Sequence, residues 1–274
     1  MLNILRERLN PAKQFIVRQI FGASLRPSDV FIVSYPKSGT TWVRFLLASI
    51  LYERSLPEVP EIPLNINATQ NYAPDINYEY FEARMKSLRA YKNLPDPRIF
   101  SVHAYYDPQF TKVIYLVRDP QDVMVSYYYY HRRIHADFNM SIDKFIINNK
   151  MRPGDWGVHV AGWLAHAESD RLLLVRYEDL KSDSHYWFRK IVDFCNLDVS
   201  EEELIRAIEN SSFENMRRQE DSFGYSKAKG DLSIPFMRQG KVGTGRDELN
   251  QELVQIIQKR YSELMAHLGY PNHS

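Results

Sequence analysis

An apolar run of β-type residues, Val30 to Val33, leads into Ser34-Tyr-Pro-Lys-Ser-Gly-Thr-Thr-Trp42, within which an apolar helical pattern begins. A strand that turns through small residues into a helix start leaves backbone N–H groups unpaired, and the helix dipole favours negative charge there. Lys37 adds a full positive charge, and Ser38, Thr40 and Thr41 set hydroxyl donors around Gly39. The chemistry that suits these residues is the holding of a phosphate- or sulfate-type anion. The spacing is not that of the G-x-x-x-x-G-K-[ST] loop, because Lys37 precedes Gly39 and no glycine lies upstream in the loop. Nor is it G-x-G-x-x-G.

Two further basic stretches could share such an anion. The apolar run to Val117 ends in Arg118-Asp-Pro120, with Pro120 where a helix would begin and Ser126 on the helix that follows. Arginine presents a fork of donors matched to a phosphate. Phe236-Met-Arg-Gln-Gly-Lys-Val-Gly243 lies in a glycine-rich segment. His103 closes the strand-like Arg98-Ile-Phe-Ser-Val-His, and of the eight histidines it alone stands at a strand end beside these loops. Histidine is the side chain whose unperturbed pKa lies nearest neutrality, so it suits proton removal from an attacking alcohol or amine.

Together these stretches resemble the cytosolic-type sulfotransferases, which use 3′-phosphoadenosine 5′-phosphosulfate (PAPS) as sulfuryl donor. Tyr-Pro-Lys-Ser-Gly-Thr-Thr-Trp, residues 35–42, is similar to their 5′-phosphosulfate loop. Arg118, Asp122, Ser126, Tyr127 and Tyr128 match Arg-x-x-x-Asp-x-x-x-Ser-Tyr-Tyr, which implies 3′-phosphate binding by Arg118 and Ser126, with Asp122 orienting backbone or arginine. Arg238, Gln239 and Gly240 stand where the family has Arg-Lys-Gly over the 3′-phosphate. Gln239 removes one charge there, and Lys241 is the candidate to restore it. The family continues Gly-Asp-Trp, whereas Gly243 is followed by Thr244 and Gly245. The resemblance also implies an adenine site at Trp42, Tyr177 in Tyr-Glu-Asp, and Ser211 and Phe213 in Ser-Ser-Phe. It makes His103 the catalytic base, with Ser101 in place of the family's lysine and Lys37 as the main cation at the leaving oxygen. The acceptor pocket is expected from 64–82, the Tyr127–Tyr130 run and 221–237. Asp75, Glu79 and Tyr128 are its candidate residues, and Asn65, Asn67, Asn71 and Glu82 add polarity that points to a polar, cationic small molecule.

The elements that must position these residues alternate. Strand-like runs at Val30–Ser34, Ile99–Val102, Lys112–Val117 and Arg171–Arg176 are separated by helical patterns at Thr41–Tyr52, Tyr80–Leu88, Gln121–His131 and Trp156–Glu168. That order predicts an α/β fold with a central parallel sheet flanked by helices, and with a P-loop-like strand–loop–helix at its phosphate site. The chain beyond Arg176 reads as helical, at Ser184–Phe194, Glu201–Glu209 and a last helix carrying Leu249, Leu253, Ile256, Ile257, Leu264 and Leu268, capped by Gly269. No repeat or linker interrupts residues 1–274. They are expected to form one domain: an N-terminal helical segment (1–28), a cofactor and acceptor core (29–247) and a C-terminal helix (248–274). The irregular stretches 53–78 and 221–247 are candidate lids.

Composition excludes more than it assigns. With 274 residues, 44% hydrophobic and 25% charged, and a formal net charge of +1, the chain has no basic field for nucleic acid. The lone Cys195 forms no intramolecular disulfide and no zinc-type cluster, which suits a reducing, cytoplasmic setting. No apolar run reaches the roughly 18 residues of a membrane span, and Arg6, Arg8, Lys13 and Arg18 break any signal-peptide pattern. No metal is expected. The oligomeric state stays open, a dimer included. Two other readings stay open at this level: a P-loop-type nucleotide kinase or NTPase, and a non-catalytic adenosine bisphosphate-binding protein.

Overall fold

The computed structural model describes residues 24–58, 64–76, 91–148, 152–167 and 170–271. Its centre is a sheet of four parallel strands, β1 (Val30–Ser34), β2 (Ile99–Val102), β3 (Lys112–Val117) and β4 (Leu172–Arg176), in the order β2-β1-β3-β4. Every residue of β1 is buried, as expected for a strand covered on both faces. Alternation divides its side chains. Phe31 and Val33 join Phe100, Tyr115 and Val117 in one core layer, and Val30 and Ile32 join Ile99, Ile114 and Leu116 in the other.

The two layers are filled by different helices, and this positions the site. Helix α1 (Thr40–Arg54) follows β1 and sends Val43, Leu46, Leu47 and Ile50 into the Val30–Ile32 layer. Helix α2 (Pro120–Ile134) follows β3 and sends Val123, Met124 and Tyr127 into the opposite one. Because β1 and β3 are neighbours in register, Ile32 opposite Ile114 and Ser34 opposite Leu116, a crevice opens where their two helices part. The remaining elements complete the layers: α3 (Ile142–Asn148), α4 (Trp156–Leu164), α5 (Tyr177–Ser182), α6 (Ser184–Phe194), α7 (Glu201–Asn210), α8 (Phe213–Phe223), α9 (Thr244–Glu248) and α10 (Gln251–His267).

Most helix starts are closed by their own sequence. Asp119, Asp155, Asp183, Ser212 and Asn250 each accept a backbone N–H at the start of α2, α4, α6, α8 and α10, and Ser200 and Glu203 form a capping box on α7. Helix α1 differs. It starts at Gly39, with no side-chain cap and no acidic residue in its first turn, so its amides stay available. At the other end of the chain, Gly269 takes φ 70° and the amides of Gly269 and Tyr270 reach back to Ala266 and Met265, the Schellman closure of α10.

The strand boundaries read from sequence agree with the structure, and so do the helices after β1 and β3, at 184–194 and at the C-terminus. The helix expected at 80–88 lies outside the described residues, as does nearly all of the segment 1–28. Helices α3, α5, α8 and α9 were not anticipated. In α8 the buried face carries Gln219 and Glu220 beside Met216, so no apolar stripe marks it. Glu220 is held by Arg133 at 2.7 Å and by the amides of Phe236 and Met237 at 2.7 and 2.8 Å. The segment 221–247 is therefore tied down along its length. The amides of Gly230 and Asp231 bond the carbonyls of Arg133 and Arg132 at the end of α2. Among the described residues no helix is long and apolar enough to cross a membrane.

Helix α9 sits where the family pattern expects a tryptophan, and its packing explains the glycine. The Gly245 N–H donates to Asp122 Oδ1 at 2.6 Å, and a Cβ there would come 2.4 Å from the carbonyl carbon of Gln121 and 2.5 Å from the Asp122 amide. Backbone on backbone leaves no room for any side chain. Gly245→Ala should therefore cost about 1–3 kcal/mol, measured by urea denaturation, and a variant of unchanged midpoint would contradict this packing.

Candidate active site

A cavity of about 280 Å³ opens at the crevice beyond the carboxyl ends of β1 and β3. At its floor the chain leaves β1 through Lys37 at φ 72° and Gly39 at φ 104°. A side chain at Gly39 would be strained, and its Cβ would stand 2.9 Å from the Tyr177 ring. Gly39, Thr40 and Thr41 line the cavity, and Thr40 Oγ1 is hydrogen-bonded to Ser34 Oγ. Ser38, assigned to the cofactor from the sequence, is fully buried and off the cavity wall, and its hydroxyl has no partner among the described residues. The Lys37 ammonium lies 4.3 Å from the Phe236 ring centre and 4.6 Å from that of Tyr130. Burial, reinforced by the positive charges of Arg118 and Arg238, brings its pKa down to about 7.

Arg118 occupies the end of β3. Its Nη2 donates to Asp122 Oδ2 at 2.9 Å and to the Lys241 carbonyl at 2.8 Å, and its guanidinium lies 4.2 Å from the Tyr177 ring centre. Its Nε has no partner among the described residues. Asp122 does what the sequence implied: besides Arg118 it takes the amides of Gly243 and Gly245, binding the glycine-rich segment to the start of α2. Ser126, one turn on, lines the cavity. Arg238 and Gln239 line it too, both anchored on Glu248, with Arg238 Nη1 at 2.7 and 2.9 Å and Gln239 Nε2 at 3.1 Å. Gly240, at φ 63°, lies so close to the Phe213 ring that a Cβ would approach to 2.3 Å. Lys241 does not supply the missing charge. Its carbonyl serves Arg118, while its side chain is exposed and stands apart from the cavity.

Trp42, Tyr177 and Phe213 form an aromatic end of the same cavity. Trp42 Nε1 is buried without a described partner, and Lys181, which sequence reasoning missed, places its ammonium 5.3 Å from the Trp42 ring. Phe213 belongs to this surface and not to the buried core. Ser211 is a correction. It closes α7, its hydroxyl turned back to the Ile208 carbonyl at 3.2 Å, fully buried and off the cavity wall.

At the opposite end His103 leaves β2. Its Nδ1 lies 2.9 Å from the Ser34 carbonyl. A carbonyl only accepts, so Nδ1 carries the proton and Nε2 holds the free electron pair. Burial lowers the His103 pKa, against the raising effect of the Asp75 carboxylate and the Ser34 bond. Asp75 lines this end and bonds Lys227 at 3.1 Å. Its position follows from a backbone bridge to Ser101. Arg44, Lys227 and Tyr225 line it as well. These cations carry no local motif, so nothing in the sequence singled them out. Tyr128 is a second correction. Residues three apart share a helix face, so Tyr127 and Tyr130 reach the cavity while Tyr128 packs on Phe138 and Phe145, at 5.8 Å from each. Glu79 and Glu82 lie outside the described residues. Among the described residues no three His, Cys, Asp or Glu side chains gather as metal ligands.

Comparison with known proteins agrees with this geometry. A family model described as "Sulfotransferase domain" matches residues 27–269. The chain belongs to the sulfotransferase family. It is 30% identical to sulfotransferase 1E1 of Rattus norvegicus over 88% of this chain and 85% of that protein, and 25% identical to the amine sulfotransferase of Oryctolagus cuniculus over 91% and 85%. In structure it is similar to retinol dehydratase in complex with retinol and PAP (TM-score 0.68, 22% identity, 93% of this chain and 86% of that one). It is also similar to mouse sulfotransferase SULT7A1 complexed with PAP (TM-score 0.67, 23% identity, 91% and 89%).

The chain is a sulfotransferase, and a polyanion bound in this cavity would meet the buried Lys37, so its binding should depend on pH. A bound polyanion favours the charged ammonium, so binding raises a pKa that starts near 7. Above that pH the protein must take up a proton as the nucleotide binds. The affinity for 3′,5′-adenosine bisphosphate should fall as pH rises from 7 to 9. Calorimetry in buffers of different ionisation enthalpy should show net proton uptake, lost in Lys37→Met.

Proposed function

We propose that this sulfotransferase transfers the sulfuryl group of PAPS to a hydroxyl or amino group of a small polar acceptor, with His103 as general base. The observation that carries the reading is the placement of His103. It lines the same cavity as Lys37 and Arg118, with Nδ1–H committed to the Ser34 carbonyl and Nε2 left as base. The residues fit the donor. The amides of an uncapped helix start, with Lys37, Thr40 and Thr41 on the cavity wall, suit a 5′-phosphosulfate. Arg118 with its unpartnered Nε, Ser126 and Arg238 suit a 3′-phosphate, and Trp42 and Phe213 suit a base. PAP in the solved structures of two similar proteins supports the same assignment.

PAPS supplies the sulfuryl group. The acceptor oxygen or nitrogen forms a bond to sulfur as the bond from sulfur to the bridging phosphate oxygen breaks. The electron pair of the broken bond stays on the phosphate, and the acceptor proton passes to His103 Nε2. Lys37 and the loop amides answer the negative charge that grows on the leaving oxygen. The low His103 pKa keeps the imidazole neutral and ready to accept at neutral pH. A cytoplasmic location belongs to this reading. The one cysteine, Cys195, is buried, and burial pushes its thiol up to about 12, so it is kept from oxidation chemistry.

His103→Ala should lower kcat by roughly 10²–10⁴ and leave nucleotide affinity unchanged. In the wild type the acid limb of the kcat profile should fall below the ordinary imidazole value of 6.5. Near-normal turnover by the variant would remove His103 from the reaction. For the donor site, 3′,5′-adenosine bisphosphate should bind better than 5′-AMP by about 1.5–3 kcal/mol for each charged contact to the 3′-phosphate. Equal affinities in calorimetry would refute the roles of Arg118 and Arg238.

A further inference from the structure

Among the described residues, the end of the cavity beyond Lys37 carries more positive than negative charge. Lys227 and Asp75 cancel one another at 3.1 Å. Arg44 is left over. It lines the cavity, and its guanidinium is held only by neutral acceptors, the Ala73 carbonyl through Nε and Gln70 Oε1 at 2.8 Å through Nη2. No carboxylate among the described residues forms an ion pair with it. The Gln70 that holds Arg44 also accepts the Asp75 amide at 3.0 Å through the same Oε1, so the guanidinium stands in a fixed frame. The other cations on the cavity wall, Lys37, Arg118, Lys181 and Arg238, stand on the side assigned above to the donor. Asp75 attracts Arg44 without touching it and is shared with Lys227, so the guanidinium, partly out of water, lacks a direct ion pair; a ligand anion relieves that cost through two parallel hydrogen bonds.

Resting on the sulfotransferase reading above, we propose that the acceptor is an organic anion: a small hydroxy compound whose carboxylate-type group is bound by Arg44 while its hydroxyl faces His103. This reverses the sign expected from Asp75 in the sequence, because the lysine that neutralises Asp75 lies 152 residues away along the chain. Lys227 has two effects: it adds its own attraction and it screens the carboxylate that would otherwise repel the acceptor.

The test uses three phenols that differ in charge: 3-(4-hydroxyphenyl)propionate, its neutral amide, and tyramine. Turnover with PAPS should rank the acid first by about tenfold or more in kcat/KM, the scale of one charge-assisted hydrogen bond. Calorimetry on the enzyme loaded with 3′,5′-adenosine bisphosphate should give the same order of binding. Arg44→Gln should erase the preference, Arg44→Lys should restore part of it, and neither should change the KM for PAPS. Lys227→Met, at an exposed position, should lower the acid's kcat/KM and raise that of tyramine. The proposal is overturned if the amide or tyramine equals the acid, or if the preference survives Arg44→Gln. It is also overturned if the loaded enzyme neither binds nor sulfates any of the three, although adenosine bisphosphate binding then leaves the donor reading standing. Failure to bind adenosine bisphosphate would remove the donor reading, and this proposal with it.

Discussion

Two neighbouring parallel strands, β1 and β3, must send their helices to opposite faces of one sheet, and every other feature of the site depends on that divergence. Side chains alternating along β1 feed two separate core layers, so α1 and α2 cannot lie together. The crevice between them receives two loops at once, one carrying Lys37 and the other Arg118, with the Arg118 Nη1 3.4 Å from the Lys37 carbonyl. Neither loop alone spans a molecule with phosphates at both ends. Adjacent strand registry makes them one surface.

One carboxylate ties the Arg118 loop to the glycine-rich segment. Asp122 orients Arg118 and takes the amides of Gly243 and Gly245, so Arg118, the start of α2 and the glycine-rich segment share one anchor. Asp122 is almost fully buried, and an unpaired charge there would be expensive, which makes the three contacts mutually dependent. Helix α9, closed at its start by this carboxylate, shows how the chain dispenses with the tryptophan that its family carries in this loop. Close backbone packing at Gly245 replaces the packing of a large ring.

Much of this was legible in the sequence. Strands covered on both faces give unbroken apolar runs, so β1 to β4 could be placed within a residue. The two loops that line the cavity were visible because their residues are close in sequence: Lys37 to Thr41 are consecutive, and Arg118 and Ser126 lie eight residues apart across one strand–helix junction. What escaped was set by contacts distant along the chain or by polar burial. Arg44 and Lys227 reach the site through partners that only the fold brings near. Helix α8 hides its buried face behind Gln219 and Glu220. Tyr128 and Ser211 were assigned from motif position, whereas helical rotation turned one onto Phe138 and Phe145 and helix closure turned the other onto its own backbone.

The central claim is that one adenosine bisphosphate lies across the crevice with its two phosphates on different strand ends. The most direct test is a crystal structure of the complex with 3′,5′-adenosine bisphosphate. The account predicts the 5′-phosphate on the amides of Gly39 to Thr41 beside Lys37, the 3′-phosphate within hydrogen-bond distance of Arg118 and Ser126, and the adenine between Trp42 and Phe213. A nucleotide bound in the reverse direction, or one whose 3′-phosphate touches neither Arg118 nor Ser126, would contradict it.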